Sequence, residues 1–254
     1  METRIIEHNK PEEDISSAIL IEASPTPGVA GIIACNYLIE NFGGKKIAEI
    51  ISPYFPQISL INDDGIATLP KIEIHIVTIG NQKLLILMRN FPIDSNEGSQ
   101  IIAKKIYEYL DSKGIRSLFI FASGRVSDDR SIYVSSTRID NINHLLLSGA
   151  KPAPSLDSLP VDRLTGFLMM FFAINRKDVY LMLADTPSYL PDPLAAKRML
   201  EVFAKSLQLN VDLSKLDEEI EKHRRTVEEM ERGLLGIEAE RQRRTPSKEP
   251  FYIG

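Results

Sequence analysis

Residues 24–56, SPTPGVAGIIACNYLIENFGGKKIAEIISPYFP, leave this chain few ways to fold. The apolar run before them, residues 18–22, reads as a buried strand. Pro25 and Pro27 then forbid helix, and Gly28 permits a tight turn. Next, Val29, Ile32, Ile33, Leu38, Ile39 and Phe42 fall close to one helical stripe, which Gly43 and Gly44 end. Residues 47–51 read as the following strand, closed by Pro53 and Pro56. Strand, glycine turn, helix and strand make one βαβ unit, and such units build parallel sheets with a right-handed crossover.

A helix that starts behind a glycine turn can hold an anion, because its first amides have no partner within the helix. Here Gly28-Val-Ala-Gly31 lacks both the third glycine of a dinucleotide fingerprint and the Gly-Lys-Ser/Thr of a phosphate loop. Close packing of helix on sheet is the plainer reason for these glycines, and anion binding is the alternative.

Further along, residues 72–79 and 83–88 read as a hairpin around Gly80, and residues 62–65 give a turn signal. An amphipathic helix is expected over 95–112, with Ile101, Ile102, Ile106, Tyr109 and Leu110 inward, and Gly114 ends it. Residues 115–122, 132–135 and 179–184 read as strands and 140–147 as a short helix. Residues 164–174 are apolar nearly all round, which predicts a buried helix. Strands alternating with helices, plus a hairpin, predict a three-layer α/β sandwich around a mixed, mostly parallel sheet. The expected organisation is a polar leader over 1–16, an α/β core domain over 17–210, a heptad-patterned helical extension over 211–244 and a flexible tail over 245–254.

Several of these segments carry a resemblance. PGVAG, YLIENFGGKKIAEI and SPYFP, with Asp64-Gly65, resemble the proteasome assembly chaperone 2 family, which includes archaeal single-chain members. So does Ala184-Asp-Thr-Pro-Ser-Tyr-Leu-Pro-Asp-Pro193 followed by Ala195 and Ala196, with Asp185 where the family commonly has Glu. Residues 123–126 depart from the family's more glycine-rich loop. The resemblance implies a fold similar to that of nucleoside phosphorylases and related hydrolases. It also implies a non-catalytic chaperone or adaptor that docks on the α-ring of the proteasome core particle. Open α/β sheets bind ligands at their strand ends, so Gly28, Asp64, Arg125 and Asp185 are the residues expected to line any ligand pocket. Asp192 is placed to cap a helix whose first residue is Pro193, and a structural role is favoured for both Asp185 and Asp192.

From residue 213 the composition shifts to Glu, Lys and Arg. Leu213, Leu216, Ile220, Val227, Met230, Leu234 and Ile237 recur three and four apart, with His223 in the gap. Such a helix either packs on its own core or pairs with a second helix or subunit. Beyond it, Thr-Pro-Ser-Lys-Glu-Pro is a polar linker that leads to Phe251, Tyr252, Ile253 and Gly254. An apolar, aromatic tip on such a tether reads as a plug for a partner's pocket. Family members often end in hydrophobic–Tyr–X, which inserts between proteasome α-subunits. Here Gly254 follows that triplet, so the carboxylate sits one residue, about 3.5 Å, further out.

The residues show no nucleophile elbow, no His-Glu-x-x-His, no Cys-x-x-Cys and no phosphate loop. The four histidines, His8, His75, His144 and His223, are scattered, and neither a metal nor another cofactor is expected. His75 alternates with isoleucines and should face solvent or a polar cleft. The reading therefore points away from catalysis, with a phosphorylase- or hydrolase-like enzyme of unknown substrate as the alternative. A net charge of -5 argues against nucleic acid as partner. No apolar run reaches the roughly 18 residues a membrane span requires. Cys35, the single cysteine, fits a reducing cytoplasm and reads as core. The expected partners are proteasome α-subunits and further copies of the chain in a homo-oligomer.

Overall fold

The chain was analysed as a computed structural model, which describes all residues except 1, 9–13, 24, 59, 62–64, 139–141, 157–159, 188–189 and 227–254. In chain order its elements are β1 (Arg4–Glu7), β2 (Ile19–Ala23), α1 (Ala30–Asn41), β3 (Lys45–Ile51), β4 (Leu60–Ile61) and β5 (Ala67–Thr68). There follow β6 (Ile72–Ile79), β7 (Gln82–Met88), α2 (Asn96–Ser112), β8 (Ser117–Gly124), β9 (Ile132–Ser136) and α3 (Asn143–Leu147). The last are β10 (Lys151–Pro152), α4 (Arg163–Ile174), β11 (Asp178–Asp185) and α5 (Pro193–Ser206).

Among the described residues nine strands form one sheet, in the order β1-β3-β6-β7-β2-β8-β11-β9-β10, while β4 and β5 form a separate small hairpin. The sheet is mixed. Its four central strands, β7, β2, β8 and β11, run parallel, and β6, β3, β1 and β9 join antiparallel to their inner neighbours. The strands at the centre are continuous apolar runs because helices cover both their faces. Residues 118–124 of β8 and 179–185 of β11 are all buried.

The βαβ unit read from residues 18–51 is present, but its two strands are not neighbours. β6 and β7 lie between β3 and β2. That hairpin turns at Gly80 (φ 58°), with Ile79 opposite Gln82, and its two antiparallel steps leave β3 pointing the same way as β2. A hairpin can be inserted because a crossover fixes the direction of its second strand and not the distance to it.

Helices α2 and α4 pack together on one face, and α1 and α5 on the other. On the first face Ile102, Ile106 and Leu110 of α2 and Leu164, Leu168 and Phe172 of α4 meet Leu20, Leu85, Leu118, Ile120 and Leu181. On the second, Phe203 of α5 stands edge-on to Phe119 and Phe121 of β8, with centroids 5.3 and 5.2 Å apart. Cys35 is buried there as core, and burial pushes its thiol well above the usual range.

Two expectations about these helices are corrected. Helix α4 is not buried all round: Met170 and Ile174 are exposed, because an outer-layer helix turns only one side to the sheet. Ile101 of α2 is also exposed, whereas Ile102, Ile106 and Leu110 carry its inner stripe. The chain divides into two units, residues 1–213 and 214–254. Within the second, residues 214–226 are helical and carry the start of the heptad pattern, Leu216, Ile220 and His223; its later positions, Val227 to Ile237, lie outside the described residues.

Candidate functional site

The carboxyl ends of β2, β8 and β11 converge, and three loops meet there. After β2 the chain enters the Gly28 turn, where Gly28 (φ 76°) and Val29 (φ 42°) both take left-handed backbone. Such a conformation is strained for a β-branched residue. It is held from outside: Val29 N donates to Thr26 O at 2.9 Å, and Asp192 N donates to Gly28 O at 2.8 Å. Any side chain at Gly28 would meet Thr186, since a Cβ would stand 2.9 Å from its Cγ2.

Ser123, at the end of β8, stands at the start of α1, where an anion would bind. Its Oγ donates to Pro27 O at 2.6 Å and accepts from Ala30 N, the first amide of α1, at 3.2 Å. Thr26 completes the arrangement, with Ser123 N donating to its Oγ1 at 3.0 Å. The helix start is thus served by a hydroxyl of the chain itself. Of the two readings of the glycines, packing is the one the geometry displays at Gly31, where a Cβ would stand 2.1 Å from Phe121 O.

Asp185, the last residue of β11, is buried. Its Oδ1 accepts from the amides of Val126 and Ser127 at 2.7 and 3.2 Å, and its Oδ2 from those of Asp129 and Arg130 at 2.7 and 2.9 Å. One carboxylate therefore folds the whole 125–130 loop around itself, including two left-handed residues, Asp128 (φ 58°) and Arg130 (φ 57°). A carboxylate receiving four amides is committed to holding backbone. Arg125 projects from this loop into solvent and is held by Asp128, with Nη2 2.7 Å from Oδ2.

Thr186 and Asp192 close the third loop. Thr186 Oγ1 donates to Asp192 Oδ2 at 2.8 Å, and Asp192 Oδ1 accepts from Ala195 N at 3.0 Å, capping α5 just before Pro193. Gly28, Arg125 and Asp185 thus stand at one end of the sheet, Gly28 in the turn after β2, Arg125 in the loop after β8 and Asp185 as that loop's anchor. Asp64 and the tail residues Phe251, Tyr252, Ile253 and Gly254 lie outside the described residues.

A cavity of about 310 Å³ does open at the strand ends, beside β7. Ile32 and Asn36 of α1, Leu69, Lys71, Glu73 and Met88 are among its walls. Sequence reading missed these residues because they come from three separate segments. The one available signal was the alternation of residues 72–79, which sends Glu73 and His75 to the face opposite Ile72 and Ile74.

On that face Glu73 and Glu49 share the cations Lys46 and Lys71, at 3.1 to 3.3 Å. His75 Nε2 lies 3.0 Å from Glu73 Oε2, and His8 Nε2 lies 3.2 Å from Glu49 Oε2. His75 consequently faces a polar network. The hydrogen bond from His75, helped by Lys71 and Lys46, holds the Glu73 carboxyl down at about 2. A carboxylate so depressed stabilises the fold fully above about 4.5, its unfolded value, and stops doing so as pH falls through about 2. Glu73→Gln should therefore lower stability at pH 7 by at most about 1 kcal/mol, since the pair is partly exposed. Urea melts should show that gap closing by pH 2; a gap unchanged with pH would remove Glu73 from the network's contribution.

Comparison with known proteins bears on this arrangement. A sequence model described as PAC2 family matches residues 20–231. Over 258 aligned residues the chain is 28% identical to MJ1210 of Methanocaldococcus jannaschii, an uncharacterized protein, covering 95% of this chain and 94% of that one. Its fold is similar to the crystal structure of Pyrococcus furiosus PbaB, an archaeal proteasome activator. The TM-score is 0.81 and the identity 22%, over 91% of this chain and 99% of that one. It is similar also to Pyrococcus furiosus PbaA, an archaeal homolog of proteasome-assembly chaperone, with a TM-score of 0.75 and 23% identity over 96% and 97% of the two chains. At such identities the likeness to the two crystal structures is one of fold.

Proposed function

The chain belongs to the PAC2 family, and from that premise we propose that it is a non-catalytic assembly chaperone or adaptor of the proteasome. It docks on the α-ring of the core particle through Phe251, Tyr252, Ile253 and Gly254. The observation that carries this reading is the family match over residues 20–231, joined to a fold shared with an archaeal proteasome activator and an assembly-chaperone homolog. The chemistry of the tail supports it. Two aromatic rings and an isoleucine offer a large apolar payload for a partner's pocket. The binding of Asp185 by four amides supports the non-catalytic part, since that carboxylate is occupied as an anchor.

In this reading the protein acts in the cytoplasm as a homo-oligomer, which would present several tails at once. Linked tails bind a ring of repeated pockets far more tightly than single ones, because each further contact is made at high effective concentration. Among the described residues no helix is long and apolar enough to cross a membrane.

The test is a pull-down of proteasome α-subunits by the full-length protein and by a version ending at Pro250. Capture by the full chain and at least a tenfold loss on truncation is the expected result. Equal capture by both would move the interface to the folded body or the heptad helix, and capture by neither would overturn the reading. A second reading, a phosphorylase- or hydrolase-like enzyme, draws on the cavity of about 310 Å³ at the strand ends. Turnover in a screen of nucleosides, phosphates and esters would put it first.

A further inference from the structure

The interior of the first unit holds a charge cluster that neither the loops at the strand ends nor the tail makes use of. Glu22 sits near the end of β2, in an otherwise apolar run, and its side chain is 1% exposed. Arg89, just past β7, is equally buried, with Nη2 3.6 Å from Glu22 Oε1 and 2.6 Å from Asp162 Oδ1. Thr165 Oγ1 donates to Glu22 Oε1 at 3.0 Å, and Arg89 Nη1 donates to Phe91 O at 2.7 Å. Asp162 also caps α4 by accepting from Thr165 N at 3.1 Å. The cluster therefore ties the exit of β7 to the start of α4, across the end of β2.

Two carboxylates and one guanidinium leave this interior one positive charge short. An uncompensated buried charge is among the costlier things a fold can contain. The hydrogen bonding shows the same deficit. Glu22 Oε2, Asp162 Oδ2 and Arg89 Nε are all buried with no hydrogen-bond partner among the described residues, two acceptors against one donor. Adding one proton removes the surplus charge and gives Glu22 Oε2 an O–H donor beside its accepting lone pair, so that it is no longer limited to accepting.

We propose that the Glu22–Arg89–Asp162 cluster is an internal proton-binding site, in which Glu22 takes up a proton in the folded chain and releases it as pH rises, loosening the tie between β7 and α4. Glu22 is the member that protonates because it is the deepest carboxylate and the farther of the two from Arg89. Burial, with Asp162 adding to it, raises its carboxyl to about 7 against the opposing pull of Arg89 and the Thr165 hydroxyl. Among the described residues, Arg89 and Asp162 are the charged groups that act on it. Its cross-strand neighbours are Leu87 and Ile120, and the Cys35 thiol of α1, whose own value Glu22 raises, stays neutral. Met88, Arg89 and Asn90 line the cavity beside β7, so the cluster also fixes one of its walls.

The sign of the pH effect follows from linkage. The folded chain binds this proton more tightly than the unfolded chain, whose Glu titrates near 4.5. The stabilisation is complete below about 4.5 and is lost as pH rises through about 7. The equilibrium for folding should shift on the order of 100-fold between those limits.

The experiment compares thermal unfolding of the full-length protein and of Glu22→Gln at intervals from pH 5 to 8.5. Glutamine keeps the shape of the neutral acid, so the variant lacks this one titration and keeps all others. The expected result is a wild-type melting temperature that falls by several degrees relative to the variant as pH rises, with the midpoint moving to lower pH in Asp162→Asn. A constant difference between wild type and Glu22→Gln at every pH would overturn the proposal. Should Glu22→Gln not fold, infrared spectroscopy of the wild type decides. A band from a buried neutral carboxyl that disappears as pH passes neutrality supports the site, and the lack of such a band at pH 6 overturns it.

Discussion

Gly31→Ala is expected to lower the stability of this protein by about 3 kcal/mol or more. Gly31 lies in the first turn of α1, where the helix crosses β8. A methyl group there would stand 2.1 Å from the carbonyl oxygen of Phe121 and 2.8 Å from its carbonyl carbon. Neither partner can yield cheaply. β8 is paired on both sides, to β2 and to β11, and α1 is pinned at its start by Ser123. The helix must instead lift from the sheet and give up burial of Ala34, Cys35 and Leu38. For a chain of this size the loss corresponds to a melting temperature roughly 6–12 °C lower. Gly166 is the control. It lies on the exposed side of α4 with nothing within 4 Å of a would-be Cβ, so Gly166→Ala should stabilise by about 0.5–1 kcal/mol through the unfolded chain. If Gly31→Ala melted within a degree of wild type, close packing would not be the reason for this glycine.

Asp185→Ala is the second large effect. Removing the carboxylate strands four amides at once, those of Val126, Ser127, Asp129 and Arg130. Hydrogen bonds to a charged acceptor contribute about 1.5–3 kcal/mol each, but the loop can open and let water serve some of these amides. A loss of about 3–5 kcal/mol is therefore expected, less than the sum of the four. Hydrogen exchange at the four amides should rise far more than exchange in the centre of β8, because the loop opens before the sheet does. Asp185→Glu should recover part of the stability, since it restores the charge one methylene further out. Unchanged exchange at these amides in Asp185→Ala would mean that the loop is held by something else.

The two positions differ in how far they could be read in advance. The glycine turn, the helix after it and the strand at 47–51 were legible because prolines and glycines act locally, through φ angles and missing amides. So was Asp192, whose spacing to Pro193 and Ala195 is the pattern of a helix cap. Asp185 was visible as part of a familiar segment, but its four amides come from residues 55 to 59 positions earlier, and no local rule reports them. The same limit hid the cavity beside β7. The exposure of Met170 and Ile174 could not be read from an apolar helix, because periodicity states which residues share a side and not whether a neighbour covers it.

Glu22 marks the division most sharply. Glu22 stands in an otherwise apolar strand, and its partners, Arg89 and Asp162, lie many elements away along the chain. By itself the sequence determined the order and kind of the elements, the turns between them and the family, since these rest on short-range geometry and on linear pattern. Only the tertiary structure decided that a hairpin separates β2 from β3, which residues wall the cavity, and that two carboxylates share one arginine in the dark of the fold. Those facts depend on which distant backbones are brought within a few ångströms, and that is settled by packing the whole sheet at once.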